Sequence, residues 1–451
     1  MRKIYAFLMS AVALVGFAAC TEGLNDEGIR VEVNKEEVSI FASFDEDDTR
    51  MTLNDKTPVW EKGDVITING FEFTAQESGT SVQFKGEVDA SLIGAPFTAY
   101  YGGETVADEQ VAREGDMPKN TPAMAEGDAF ESGMTIEFFN IAALLKFKPT
   151  FAGDITFDIL DGEAITITGC EANKEYYVAV TPTIWEKGVK VTTVCDIFCK
   201  EGAVGQEIER NKIYNIGTIS RKEAPFKIIG TQCDWDFNSC ALMYESTNYY
   251  VAPGYKLDKG TNTSTNEYKF VAKTATGWTG IENYGTGSKS TAGNAYRTWS
   301  GGNNITANNG TYDIYFSKDK AFYFILTSGT AVTDDTIKLA TDNYGIVGNI
   351  KNNNWSTNVP LYVCGKFLAA KNIQPAASNF AFKIRQKNVW NQGEEFGTTW
   401  DSCPIEYVIP LDGSKDIIYK NLNTSKMYDI YTNFLKVQLL NAGSATPTAL
   451  N

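Results

Sequence analysis

The sequence predicts an all-β protein: three antiparallel β-sandwich domains in tandem behind an N-terminal export signal. Three observations lead there. Apolar and polar residues alternate at period two, as at Val38, Ile40, Ala42 and Phe44, at Ile66 and Ile68, and at Ile155, Phe157 and Ile159, which is the pattern of half-buried strands. Asn69-Gly70 and Asp161-Gly162 interrupt such runs, and both pairs suit a tight hairpin turn whose central residues need positive φ. No segment beyond the signal keeps an apolar stripe at helical period over four turns; Ile141 to Leu145 could start a helical turn, but the alternation resumes through Phe147.

Residues 1–19 read as the signal. Arg2-Lys3 is followed by an apolar run to Ala19 broken only by Ser10 and Gly16. That run is too short for a comfortable membrane span. Ala18-Ala19-Cys20 resembles a bacterial lipobox with Phe17 at its first position, which implies a lipid on Cys20, a tether over 20–30, and a place on the outer membrane. The competing reading is a cleaved signal with a coincidental cysteine. Glu22, Asp26 and Glu27 resemble the surface-export signal of Bacteroidetes lipoproteins. Seven cysteines then remain, an odd number without any CxxC, so zinc and thioredoxin-type chemistry lack support. Cys233 and Cys240 could close a small loop; a role as small core residues competes with that reading.

Charge divides the chain. Residues 20–220 carry −21 and residues 221–451 carry +3, with no Lys/Arg-rich run, so a nucleic-acid partner is not expected. The chain has no histidine, which rules out Ser-His-Asp, Cys-His and HExxH catalysis and removes the commonest metal ligand. Neither a metal nor any other cofactor is expected. Asp45-Glu46-Asp47-Asp48 lacks the spacing of a calcium loop.

Residues 31–220 form the first predicted sandwich. Thr49-Arg50-Met51-Thr52 followed by Trp60-Glu61-Lys62-Gly63-Asp64, the stretch Phe138 to Phe147, and Lys212 to Ile219 together resemble the fimbrillin family of Bacteroidetes. The resemblance implies a lipid-anchored β-sandwich, in some members a pilin that assembles by donating a strand to its neighbour. It also marks Arg50, at the end of Asp47-Asp48-Thr49, as a candidate for proteolytic processing. An arginine opening an ordinary strand is the competing reading.

Residues 225–440 contain an internal repeat. Gly230 and Trp235 find counterparts in Gly348 and Trp355; Phe270, Trp278 and Gly285 in Phe382, Trp390 and Gly397; and Tyr312-Asp313-Ile314-Tyr315 recurs as Tyr428-Asp429-Ile430-Tyr431. Two copies of a module of about 110 residues, 225–328 and 335–441, follow from this. They resemble the carbohydrate-binding domains of starch-utilisation outer-membrane lipoproteins. That implies β-sandwiches holding an α-glucan or a related polysaccharide without cleaving it, on Trp or Tyr faces beside a Lys or Arg donor.

A sugar ring offers an apolar face and a rim of hydroxyls, so its site needs an exposed aromatic plate and a few fixed polar groups. Trp235, Trp278, Trp355 and Trp390 are the candidate plates, with Tyr284 as a further one and Lys273 and Arg385, at matching positions after the shared Phe, as donors. A repeated Trp could equally be a core residue. Catalysis is not expected, because Glu394-Glu395 and Asp334-Asp335 are adjacent pairs that a strand would point to opposite faces. The sequence therefore favours a non-catalytic surface glycan-binding lipoprotein, with an outer-membrane transporter as a partner. A fimbrial subunit or tip adhesin with pilin partners is the alternative.

Overall fold

The computed structural model describes residues 35–44, 59–258, 266–287, 289–332, 337–339, 344–353, 355–356, 358–386, 395–447 and 450. Cys20, Arg50 and Trp390 lie outside them. The described residues are all-β, as the alternation requires, with three short 3₁₀ turns and no α-helix among them.

The first body is a closed barrel running Lys35–Phe44, Ser81–Asp89, Phe71–Ala75, Val65–Ile68, Phe97–Tyr101, Ala123–Gly127 and Thr135–Asn140. Its neighbours are antiparallel except at the closure, where Phe41 to Phe44 run parallel to Thr135 to Phe138. Asn69 and Gly70 have φ of 47° and 89° and join strands in which Ile68 faces Phe71, the expected tight hairpin. Trp60 fills the barrel core, stacked on Phe44 at 4.5 Å and edge-on to Phe84 and Phe138.

A second core is built mostly from residues after Asn140. Five strands ordered Ile197–Gly202, Val189–Thr193, Gly153–Ile159, Ala164–Cys170 and Glu109–Val111 and three ordered Tyr176–Val180, Ala143–Pro149 and Ile213–Ile219 enclose Leu145, Phe147, Phe157 and Trp185. Residues 31–220 thus hold two cores where one sandwich is expected, linked because Glu109–Val111 leaves the barrel segment to pair with Ala164–Cys170. Asp161-Gly162 also differs from expectation: Gly162 lacks positive φ, and a wider loop closes through Gly162 N–H to the Ile159 carbonyl at 2.8 Å.

The two repeats share backbone wiring. In the first, Glu223–Gly230 pairs with Asn266–Ala272, and Tyr249–Leu257 with Gly310–Ser317. In the second, Tyr344–Gly348 pairs with Phe380–Gln386, and Phe367–Ile373 with Tyr428–Thr432. Both copies interrupt the second pairing at the same place, between Ala252 and Tyr255 and between Ala370 and Ile373. Gly254 and Asn372 take positive φ there, 61° and 58°. Their N–H groups donate to the repeated aspartate, to Asp313 at 2.7 Å and to Asp429 at 2.9 Å. The letter-for-letter match of Tyr-Asp-Ile-Tyr is therefore a structural one, since a bulge leaves a backbone donor that needs an acceptor.

Register corrects the alignment of the central strand. Gly230 faces Tyr268 and Gly348 faces Phe382, so Tyr268 matches Phe382, Lys269 matches Lys383, and Val271 matches Arg385. Lys273 and Arg385 are not equivalent. Lys338–Leu339 bonds to Asn294–Arg297 of the first repeat, and Lys338 faces Tyr362 of the second, so one hydrogen-bonded sheet path crosses both copies. A common core, including Tyr249, Phe324, Ile346 and Phe382, lies beneath them.

Candidate glycan-binding cleft

Two loops of the first repeat bring aromatic rings together. The 3₁₀ turn Thr231–Cys233 follows Glu223–Gly230, and Asp234 and Trp235 after it both take left-handed φ, 49° and 59°. For residues with a side chain this conformation costs about 1 kcal/mol or more each. It is held by Trp235 N–H donating to the Gly230 carbonyl at 3.0 Å and Asp236 N–H donating to the Cys233 carbonyl at 2.8 Å. The Asp236 carboxylate accepts from Asn238 N–H at 3.0 Å and Ser239 Oγ at 2.9 Å; these bonds, the Asn238 one first, hold its carboxyl below the usual range.

The second loop, between Asn266–Ala272 and Asn283–Gly285, carries Trp278, which is 47% exposed. Its ring lies 5.8 Å from that of Trp235 at an interplanar angle of 50°, and Phe237 supports it edge-on at 5.1 Å. Lys227 ties the two loops from below: its buried ammonium donates to the carbonyl of Phe237 at 2.8 Å and to that of Ala275 at 2.9 Å. A lysine so enclosed makes up its lost hydration with such bonds, and in doing so it fixes the spacing of the rings.

Polar groups complete the cleft, an open space of about 330 Å³ lined by Trp235, Lys269, Trp278 and Asn304. Lys269 Nζ stands 6.0 Å from the Trp278 ring centre and donates to Asn283 Oδ1 at 3.2 Å, and desolvation lowers its pKa. Asn304 Nδ2 donates to Glu267 Oε2 at 2.9 Å. Inclined aromatic faces with a cation and an amide at their edge can take an apolar ring face and bond its rim.

Other anticipated residues lie elsewhere. Lys273 is paired with Glu223 and does not line the cleft. Tyr284 packs edge-on to Phe226 at 5.9 Å, near Phe316, and its hydroxyl donates to Glu282 at 2.8 Å, so it supports the core. Arg385 is only 3% exposed, with Nε donating to Asn358 Oδ1 at 3.0 Å, which leaves it no position as a surface donor. Trp355 repeats the geometry of Trp235: φ is 57° and its N–H donates to the Gly348 carbonyl at 2.8 Å. Lys383, the counterpart of Lys269, pairs with Glu395 at 3.2 Å and Asp416 at 3.9 Å.

Lys269, Asn304, Phe237 and Lys227 are the site residues that sequence reasoning misses. Aligning Tyr268-Lys269-Phe270 with Phe382-Lys383-Ile384, apolar to apolar, would have found the repeated lysine. Larger cavities lie where bodies meet. One of about 790 Å³ is bounded by Cys195, Arg221 and Asp313, and one of about 540 Å³ by Trp60, Tyr101 and Arg113. In the latter, Arg113 is paired with Glu61 and Asp116. Among the described residues no group of three or more Cys, Asp or Glu side chains could hold a metal ion.

No protein-family model and no curated protein matches the chain. Among solved structures it is similar to the crystal structure of a fimbrial protein from Bacteroides ovatus ATCC 8483, at 12% identity and a TM-score of 0.24. The match covers 49% of this chain and 57% of that one.

Proposed function

We propose that the chain is a non-catalytic glycan-binding protein whose principal site is the Trp235–Trp278 cleft, holding an α-glucan or a related polysaccharide at the cell surface through a lipid on Cys20. The observation that carries this reading is the half-exposed Trp278 ring inclined beside Trp235, with Lys269 at its edge. An exposed tryptophan supported from below and left open above suits stacking on a sugar, and an open cleft admits a polymer that passes through. An outer-membrane transporter is the partner this role requires, since a binding protein alone moves nothing inward.

Affinity electrophoresis through starch, pullulan, dextran and a β-glucan, run beside thermal melts, tests it. Trp278→Ala should reduce retention at least tenfold, in line with about 1.5 kcal/mol of stacking, while leaving the melt within a few degrees of wild type. A sharp drop in melting temperature instead would make Trp278 a core residue. Unchanged mobility of the wild type in every polysaccharide would remove the glycan reading. A ladder of SDS-resistant polymers would put strand-exchange assembly as a fimbrial subunit in its place.

A further inference from the structure

The loop that carries Trp235 begins at Cys233 and ends at Cys240, and both thiols are free. They converge on one corner. Gly230 N–H donates to Cys233 Sγ at 3.4 Å, and that thiol donates to the Gly230 carbonyl at 3.3 Å. Ile228 faces Ala241 across the adjoining strand pair, so the next step of the ladder sets Cys240 opposite Ile229, beside the same glycine. The Cys240 thiol donates to the Asp236 carbonyl at 3.3 Å. Both half-buried sulfurs pack against the small cluster of Ile229, Phe237, Val271 and Ala275, together with Trp235 itself. Burial pushes the Cys240 thiol up to about 12, and the adjacent Cys233 thiol, within hydrogen-bonding reach, adds to the shift.

We propose that Cys233 and Cys240 are a redox modification site: a small-molecule disulfide oxidises them to a cystine that closes the loop around Trp235 and fixes one wall of the aromatic cleft. The Cys233 thiolate attacks one sulfur of the small disulfide and expels its first thiol. Cys240 gives its proton to solvent and attacks the Cys233 sulfur, which expels the second. The protein pair loses two electrons and two protons, and the small disulfide becomes two thiols. A covalent ring suits this loop in particular, because it holds two consecutive left-handed residues, Asp234 and Trp235, and a cross-link removes unfolded-state freedom. The matching segment of the second repeat, 350–358, has no cysteine, so the device belongs to the first cleft alone. The pairing stands by itself; its effect on sugar binding rests on the function proposed above.

The full chain, first reduced and then exposed to oxidised glutathione, is alkylated under denaturing conditions, weighed intact and mapped by peptide. Two fewer alkylated cysteines than in the reduced chain, with 233 and 240 joined in one peptide, support the pairing, and Cys240→Ser should abolish the difference. The melting temperature should rise by roughly 3–5 °C on oxidation. An unchanged alkylation count, or a bond mapped to other cysteines, overturns the pairing. For the consequence, retention on the binding polysaccharide should increase at least twofold in the oxidised chain and not in Cys240→Ser. Equal retention of a mapped disulfide form and its reduced form overturns the link to the cleft while the modification stands. If no polysaccharide retards either form, the glycan reading fails and takes the link with it, and the alkylation count still decides the pairing.

Discussion

The two repeats agree where the backbone must be satisfied and differ where a ligand would be met. Asp313 and Asp429 accept the same bulge N–H, from Gly254 and Asn372. Trp235 and Trp355, both at left-handed φ, donate their N–H groups back to Gly230 and Gly348. Yet Lys269 is answered by the neutral Asn283 in the first copy, while the matching Lys383 meets the carboxylates of Glu395 and Asp416. The bulge differs too: Lys371 of the second copy reaches Asp429 at 3.4 Å and the Tyr431 hydroxyl, whereas Pro253 stands at its place in the first. A buried amide without a partner costs stability in any copy, so its acceptor recurs; a lysine at a rim is under no such constraint. The first repeat leaves its cation lining an open cleft, and the second neutralises it within the chain.

The largest expected effect probes what the copies share. Asp313 accepts three bonds, from Gly254 N–H at 2.7 Å, Ser328 Oγ at 3.0 Å and Gly329 N–H at 3.1 Å. Asp313→Ala should therefore cost about 3 kcal/mol, and Asp429→Ala, which removes the Asn372 bond and the Lys371 ion pair, about 2 kcal/mol. Urea unfolding of each variant measures this. Equal costs would mean that the bulge bond alone matters and the other partners are incidental.

Next in size is a side-chain contact between the copies. The Arg297 guanidinium of the first repeat sits among three rings of the second, 4.7 Å from Phe396, 5.8 Å from Phe434 and 5.9 Å from Tyr344. Arg297→Met should remove about 1–2 kcal/mol of cation–π attraction and broaden or split the calorimetric transition, because the repeats then unfold with less coupling. A single sharp transition at an unchanged temperature would show that the shared sheet suffices.

The same boundary holds a carboxyl whose cost depends on pH. Burial pushes the pKa of Asp319 up, only partly offset by the neighbouring polar groups of Ser317 and of Asn433 of the second repeat, and its buried Oδ1 has no hydrogen-bond partner. A folded-state pKa above the unfolded one means that the native chain binds more protons between the two values, so stability falls as pH rises through that window. Asp319→Asn should stabilise the chain at neutral pH and have little effect below the unfolded carboxyl's pKa. Melts of both forms from pH 3 to 8 check this, and parallel curves would sink it.

What could be read from the sequence follows the range of the interactions. Val38, Ile40 and Ala42 announce a strand because alternation is local, and Asn69-Gly70 announces its turn because two residues suffice for it. The closing Tyr-Asp-Ile-Tyr strands were legible for the same reason. The division of 31–220 into two cores was not, since it depends on Lys35–Phe44 closing against Thr135–Asn140 and on Glu109–Val111 crossing to Ala164–Cys170. Matching Phe270 to Phe382 by letter placed Lys273 beside Arg385, whereas hydrogen-bond register pairs Lys269 with Lys383. Trp235 and Trp278 stand out in the sequence as candidate plates, but their meeting depends on Lys227, a buried cation that nothing in its own neighbourhood of sequence marks as a bridge.

The smallest effect tests the functional half of the comparison. If the second repeat is weak because Lys383 is neutralised, Glu395→Asn should recreate the Lys269–Asn283 pairing there. The ammonium would then have one carboxylate fewer, with Asp416 at 3.9 Å remaining, and could offer a bond to a sugar hydroxyl. The gain from one such bond is about 0.5 kcal/mol, or roughly twofold in affinity. That is too small to see beside a working first site, so the substitution belongs in a Trp278→Ala background. Restoring Trp278 should then give more than the sum of the two sites, because linked weak sites on one polymer raise each other's effective concentration. No gain from Glu395→Asn in the disabled background, with an unchanged melt, would place all binding in the first repeat. The second repeat would then serve as its support, joined to it through the shared core and Arg297.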